Sequence, residues 1–248
     1  MLNNIFRKLK NLNSIIKSIY YQFKQQLIFL IFLKNKKYIY DQTKILKKNG
    51  YIHLKTIIPE KIIDDFIKNY EKDILKKKNK LSNNYAFQVH VEPEKAKVFF
   101  DYFNKNMIVD ICRDYLGKIG ILNCMINYQN ENDCEISSMQ PHHDTRGNDL
   151  KIYVWLSDYN EKSHPLYYLE GSNNDIKFFI TDKHHRRKDI PKEKMTKLYG
   201  NKGDIIIFDT HGWHSHTKKN TAERAVLELT IIPINYFFKS FEKESYYF

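Results

Sequence analysis

What most limits the folds open to this chain is a change of pattern after Gly120. Before it, apolar residues recur mostly at helical spacing. Beyond it they fall in short runs, at residues 121–128, 135–142, 150–156, 166–169, 203–208 and 224–232, divided by polar turns. Runs of this length, continuously apolar or alternating with period two, fit strands better than helices. A half-chain of short strands has to protect its sheet edges, and a double-sheet jelly roll or cupin-like barrel does so. The mouth of such a barrel is a natural ligand cavity. The expected fold is α+β with a mainly β core: a double-stranded β-helix braced by helices from the N-terminal part.

Those helices have readable ends. Residues 41–48 form a short helical pattern stopped by Asn49-Gly50, a left-handed terminator. Residues 51–55 alternate like a strand, and Pro59 then opens a helix with Ile62, Ile63, Phe66, Ile67 and Tyr70 on one side. Lysines at residues 76–80 suit a solvated helix end or loop. Val98, Phe99, Tyr102, Phe103, Ile108, Ile111 and Leu116 place a further helix within residues 96–116, ended by Gly117.

Charge separates the first segment from the rest. The net charge is +12, yet residues 1–50 carry eleven Lys or Arg against one acid, and the other 198 residues are close to balanced. A basic groove across the body is therefore not indicated, which weighs against nucleic acid as a partner. Residues 1–40 are expected to be a basic amphipathic helical extension and residues 41–248 the folded body. The extension's longest unbroken apolar run, residues 27–33, is too short to span a bilayer, which takes about 18 residues or more. No small-residue cleavage site follows it, so a secretory signal is not expected either. Two roles stay open for residues 1–33: packing on the body, or lying on an anionic membrane surface. Three cysteines, Cys112, Cys124 and Cys134, match no zinc spacing and suit free thiols in a reducing compartment. The expected location is the cytoplasm, with peripheral contact at the inner face of a membrane as an option.

Chemistry concentrates in two histidine-rich stretches. In Gln140-Pro141-His142-His143-Asp144-Thr145-Arg146-Gly147, the side chains of His142 and Asp144 stand two positions apart. On an extended strand they point to the same face and can reach one metal ion, whereas His143 points away and is expected to be exposed. A third ligand is available from Gly203-Asp204-Ile205-Ile206-Ile207-Phe208-Asp209-Thr210-His211-Gly212-Trp213-His214-Ser215-His216. Two His and one carboxylate form the facial triad of non-haem Fe(II) oxygenases, which leaves three metal positions open. Strand alternation does not separate His214 from His216, and His211 is a further candidate. The run His184-His185-Arg186-Arg187-Lys188 lies on a polar insertion, either solvated or a lid for an anionic group.

Taken together, residues 48–232 resemble the phytanoyl-CoA dioxygenase-like (PhyH) family of Fe(II)/2-oxoglutarate-dependent oxygenases. Asn49-Gly50-Tyr51 is similar to the family's opening, and Asp114-Tyr115-Leu116-Gly117 to its segment before the barrel. His142-x-Asp144 matches the first two iron ligands, and Trp155 in the following strand matches a pocket-wall tryptophan. Leu166-Tyr167-Tyr168-Leu169-Glu170-Gly171-Ser172-Asn173 resembles the Pro-Gly-Ser-His turn, with Glu170 and Asn173 in place of the Pro and His. Gly203-Asp204, Phe208, His214, Asn220 and Arg224 match, in order, the segment with the distal His and the 2-oxoglutarate-binding Arg.

The resemblance implies Fe(II) on His142, Asp144 and His214, and 2-oxoglutarate with its far carboxylate on Arg224, whose planar fork suits a carboxylate. Gln140, Tyr128 and Trp155 are candidate contacts of the co-substrate. Thr145 and Arg146 are expected to belong to an ordinary loop. The implied activity is O₂-dependent hydroxylation of an aliphatic C–H in a small-molecule, lipid or glycan-precursor substrate, with succinate and CO₂ released. Retention of the carboxylate at Asp144 favours hydroxylation over halogenation. The competing classes are a non-catalytic cupin-like binding protein and a basic membrane- or nucleic-acid-associated module.

Overall fold

In the computed structural model, residues 37–80, 86–129, 140–144, 149–163, 165–175, 190–216, 222–233 and 246–247 are described. The expectations for residues 1–33, for most of the 135–142 run, and for Cys134, Thr145, Arg146, Asn220 and the 184–188 insertion lie outside them.

Gly50 acts as the sequence predicts. Helix α1 (Asp41–Asn49) ends where Gly50, at φ 88°, turns left-handed and gives its N–H to the Leu46 carbonyl at 2.8 Å. β1 (Tyr51–Leu54) follows, then α2 (Glu60–Lys80), which continues as helix through its lysine-rich end. After β2 (Ala86–His90) the single helix expected within residues 96–116 is in fact two, α3 (Pro93–Lys105) and α4 (Ile108–Leu116). The break comes at Met107, left-handed at φ 59°, which no helix interior accommodates. Apolar spacing continues across the break because both helices bury residues in the same core: Phe99 and Phe103 from α3, Ile108, Ile111 and Tyr115 from α4. Residues 38–40, expected in the extension, dock on α4: Ile39 and Tyr40 give their N–H groups to Asp114, and Tyr38 stacks on Tyr115. Among the described residues no helix is long and apolar enough to cross a membrane.

The strands are β3 (Ile119–Gln129), β4 (Leu150–Trp155), β5 (Leu166–Tyr168), β6 (Thr196–Leu198), β7 (Ile205–Asp209), β8 (His214–Ser215), β9 (Arg224–Pro233) and β10 (Tyr246–Tyr247). Among the described residues they make two antiparallel sheets. The larger runs β1-β7-β4-β9-β3-β10, with β2 also on β3; the smaller runs β6-β5-β8. The result is a mixed α/β architecture with a large antiparallel sheet. The expected strands β1, β3, β4, β5, β7 and β9 are all present within a few residues, while β2, β6, β8 and β10 are not among the expected runs.

One face of the larger sheet (Leu150, Ile152, Val154, Ile205, Ile207, Leu227, Leu229, Ile231) joins the helices in the main core. The other face (Tyr153, Trp155, Ile206, Phe208, Val226) packs with Leu166, Tyr168 and Leu198 of the smaller sheet. Burial on both faces explains why β7 and β9 read as near-continuous apolar runs instead of alternating ones. Asp204 ties the start of β7 to the end of β1, accepting from the Thr56 N–H (2.7 Å), the Asn201 N–H (3.0 Å) and His53 Nε2 (2.9 Å).

Candidate metal centre

Two chain segments meet by backbone pairing to form the site. His142 and His214 exchange both main-chain hydrogen bonds, N–H to O at 2.9 and 2.8 Å, as a hydrogen-bonded antiparallel pair. Directly opposed residues of such a pair carry their side chains on one face. Here the two imidazole centroids are 4.4 Å apart. Asp144 enters through its N–H, bonded to the Thr210 carbonyl at 3.0 Å. The turn that returns the chain from β7 to β8 is anchored by Asp209, which accepts from the Tyr115 hydroxyl (2.7 Å) and the His211 N–H (2.9 Å).

The donor atoms converge. One ligand atom each from His142, Asp144 and His214 lies within 4.8 Å of the other two. Asp144 Oδ1 is 4.0 Å from His142 Nε2 and 3.8 Å from His214 Nε2. Tautomers follow from the partners. His142 Nδ1 lies 2.9 Å from the Gln140 carbonyl, and His214 Nδ1 lies 2.9 Å from the Gly212 carbonyl. A carbonyl only accepts, so both Nδ1 atoms carry the proton and both Nε2 lone pairs face the cluster. That is the arrangement a metal-binding histidine needs. Burial pushes the His214 imidazole down to about 3, with help from nearby His142, so it is neutral at pH 7. Burial alone would raise the Asp144 carboxyl, but Lys151 and then the two histidines outweigh it and hold it well below the usual carboxylate range. A neutral imidazole and an ionised carboxylate are the ligand forms a divalent cation takes. The donor set fits Fe(II), which when bound as a facial triad supplies open positions for a co-substrate and O₂.

The other histidines are used elsewhere. His216 Nδ1 accepts from Arg224 Nη2 at 3.2 Å, and His211 Nε2 donates to the Asp175 carbonyl at 3.0 Å. His143, expected to be exposed, is buried: Trp213 meets it edge-on at 5.1 Å, and its Nδ1 bonds the Asp144 carbonyl. The chain leaves regular strand geometry at this point, so period-two alternation does not hold.

Arg224 opens β9, buried on its inner face. Its Nε donates to Gln129 Oε1 at 2.7 Å, and its guanidinium lies 5.2 Å from the Tyr159 ring centroid. Trp155 is fully buried behind Tyr159, with ring centroids 4.0 Å apart. Gln140 contributes its carbonyl to His142. Tyr128 is not brought to this group: it packs on the helical side of β3, stacked on Phe87, and its hydroxyl donates to Glu223.

Sequence reasoning missed a buried charge network. Lys151 Nζ sits 3.0 Å from Asp144 Oδ2 and 3.2 Å from Glu228 Oε1. Glu228 Oε2 accepts from Asn127 (2.6 Å) and the Tyr153 hydroxyl (3.0 Å). The signal was available: Lys151 and Glu228 each interrupt an apolar run that only a fully buried strand would carry.

No family model matches the sequence, and no curated protein matches it. The fold is nevertheless shared with solved structures. EctD from S. alaskensis, with 2-oxoglutarate and 5-hydroxyectoine, superposes at TM-score 0.61 and 17% identity, over 82% of this chain and 80% of that one. The epimerase SnoN, in complex with Fe3+, alpha ketoglutarate and nogalamycin RO, superposes at 0.58 and 12% identity, over 77% and 82%. HygX from Streptomyces hygroscopicus, with nickel and 2-oxoglutarate bound, superposes at 0.56 and 14% identity, over 79% and 88%.

Proposed function

We propose that the chain is an Fe(II)/2-oxoglutarate-dependent dioxygenase, PhyH-like, built on a double-stranded β-helix, that hydroxylates an aliphatic C–H of a small molecule. The observation that carries this reading is the convergence of His142 Nε2, Asp144 Oδ1 and His214 Nε2, with both Nδ1 protons committed to backbone carbonyls. Neighbours of the same fold crystallised with 2-oxoglutarate, two of them with iron or nickel as well, support it. In the proposed reaction one O₂ is consumed: one oxygen atom enters the substrate as hydroxyl and the other enters succinate, with CO₂ released from 2-oxoglutarate.

The protein's part is positioning. His142, Asp144 and His214 hold the metal from one side. Arg224, fixed by Gln129 and Tyr159, presents a permanent cation for the far carboxylate of 2-oxoglutarate. Trp155 backs Tyr159 and keeps water from that end of the sheet-to-sheet interior. Residues 41–248 would form the catalytic body. Residues 1–40 would be a basic extension, with residues 1–33 able to meet anionic membrane, a contact that full-length protein tests by floating with anionic liposomes.

The test is anaerobic titration with Fe(II) and 2-oxoglutarate. Wild type is expected to develop a weak visible metal-to-ligand charge-transfer band, Asp144→Ala to lose it, and Arg224→Ala to need about tenfold or more 2-oxoglutarate to reach it. Absence of both Fe(II) and 2-oxoglutarate binding in wild type would return the chain to the class of cupin-like binding proteins.

A further inference from the structure

The two oxygens of Asp144 face different partners. Oδ1 points between His142 Nε2 and His214 Nε2, while Oδ2 lies 3.0 Å from Lys151 Nζ. Lys151 cannot drift from this position, because Glu228 Oε1 holds the same ammonium at 3.2 Å. Glu228 is fixed in turn through its other oxygen by Asn127 and Tyr153. The network crosses three neighbouring strands, β4, β9 and β3, on their inner face. Stability gives little reason for it, since a buried ion pair is often no better than a well-packed apolar pair of the same volume.

A reason appears when metal positions are counted. Six positions, less two imidazoles and one carboxylate oxygen, leave three, enough for a chelating 2-oxoglutarate and one diatomic molecule. A carboxylate that closed on the metal through both oxygens would leave two, and the diatomic would be shut out. We infer that Lys151 is a positioning residue that holds Asp144 to one-oxygen ligation and so keeps the last metal position open. The inference rests on the iron and 2-oxoglutarate reading above. It assigns Lys151 a function that contact with the metal or the co-substrate would not.

The test separates the co-substrate from the diatomic. Lys151→Met removes the ammonium at nearly constant volume but leaves the buried Glu228 carboxylate without that cation. The double variant Lys151→Met/Glu228→Gln removes the charge pair together. Its new side-chain amide still offers an oxygen to Asn127 and Tyr153, so the double variant carries the test if the single one does not fold. Each protein, checked by circular dichroism, is loaded anaerobically with Fe(II) and 2-oxoglutarate and titrated with nitric oxide, read by the spin-3/2 signal of the adduct. Both variants are expected to keep the charge-transfer band of 2-oxoglutarate while binding nitric oxide about tenfold or more weakly than wild type. Nitric oxide binding as strong as in wild type, or loss of the 2-oxoglutarate band together with nitric oxide binding in a folded variant, overturns the role of Lys151 alone. A wild type that binds neither Fe(II) nor 2-oxoglutarate overturns the parent reading, and the inference with it.

Discussion

At the scale of the residue, His214 shows how burial prepares a ligand. Its imidazole is 3% exposed, and desolvation keeps it neutral down to about pH 3. The unfolded chain takes up that proton near 6.5, the ordinary histidine value, while the folded chain does not. Below about pH 6.5 the unfolded state therefore binds more protons, and stability falls as pH falls, until the folded imidazole also titrates near 3. Metal-free protein should lose stability between about pH 6.5 and about pH 4 with a slope of at most about 1.4 kcal/mol per pH unit from this residue. Urea unfolding across that range, wild type against His214→Asn, checks it: the variant's profile should be flatter. The depressed Asp144 carboxyl adds its own loss of stability only below about pH 4, where its unfolded form begins to protonate.

Elements meet the site through a few fixed corners. Gly203 accepts with its carbonyl from the Ile57 and Ile58 N–H groups, and at φ 94° a Cβ there would lie 2.2 Å from the Ile58 carbonyl oxygen. Asp204 beside it closes the same corner with three hydrogen bonds. Removing its carboxylate takes the acceptor from the Thr56 and Asn201 N–H groups. Asp204→Ala is expected to cost about 2–4 kcal/mol, measured as a lower urea midpoint. Because β7 leads through the Asp209 turn into β8, the same variant should also weaken metal binding in a cobalt titration. The match of Gly203-Asp204 to a family pattern is thus explained by a corner that joins β1 to β7, not by contact with a ligand.

For the whole molecule, the ligand atoms come from β8 of the smaller sheet and from residues 142–144, and Lys151 of the larger sheet holds Asp144, so ligand binding should report as global stability. A ligand that binds only the folded state, at about one hundred times its Kd, adds about 2.7 kcal/mol. Fe(II) or Co(II) with 2-oxoglutarate should therefore raise the thermal midpoint of wild type by several degrees, and Asp144→Ala should show no such rise. Differential scanning fluorimetry with and without metal decides it. Failure of wild type to shift at saturating metal would separate the fold from the proposed chemistry.

By itself the sequence determined the strand-rich second half and the helix stops at Gly50 and Gly117. These are consequences of local periodicity and of glycine's left-handed conformation, which neighbours in sequence already specify. Alternation did not separate His214 from His216, because the two share one side of a strand, and only the family resemblance singled out His214. In the structure His214 pairs through its backbone with His142, while His216 bonds Arg224. Likewise His143 is buried and Tyr128 turned toward the helices because packing across sheets, not alternation along one strand, decides which side is dry. Lys151 and Glu228 stood out as charges in apolar runs, but their meeting at Asp144 needed two strands placed side by side from distant parts of the chain. Only tertiary structure brings such residues together, since no local rule relates positions 144, 151 and 228.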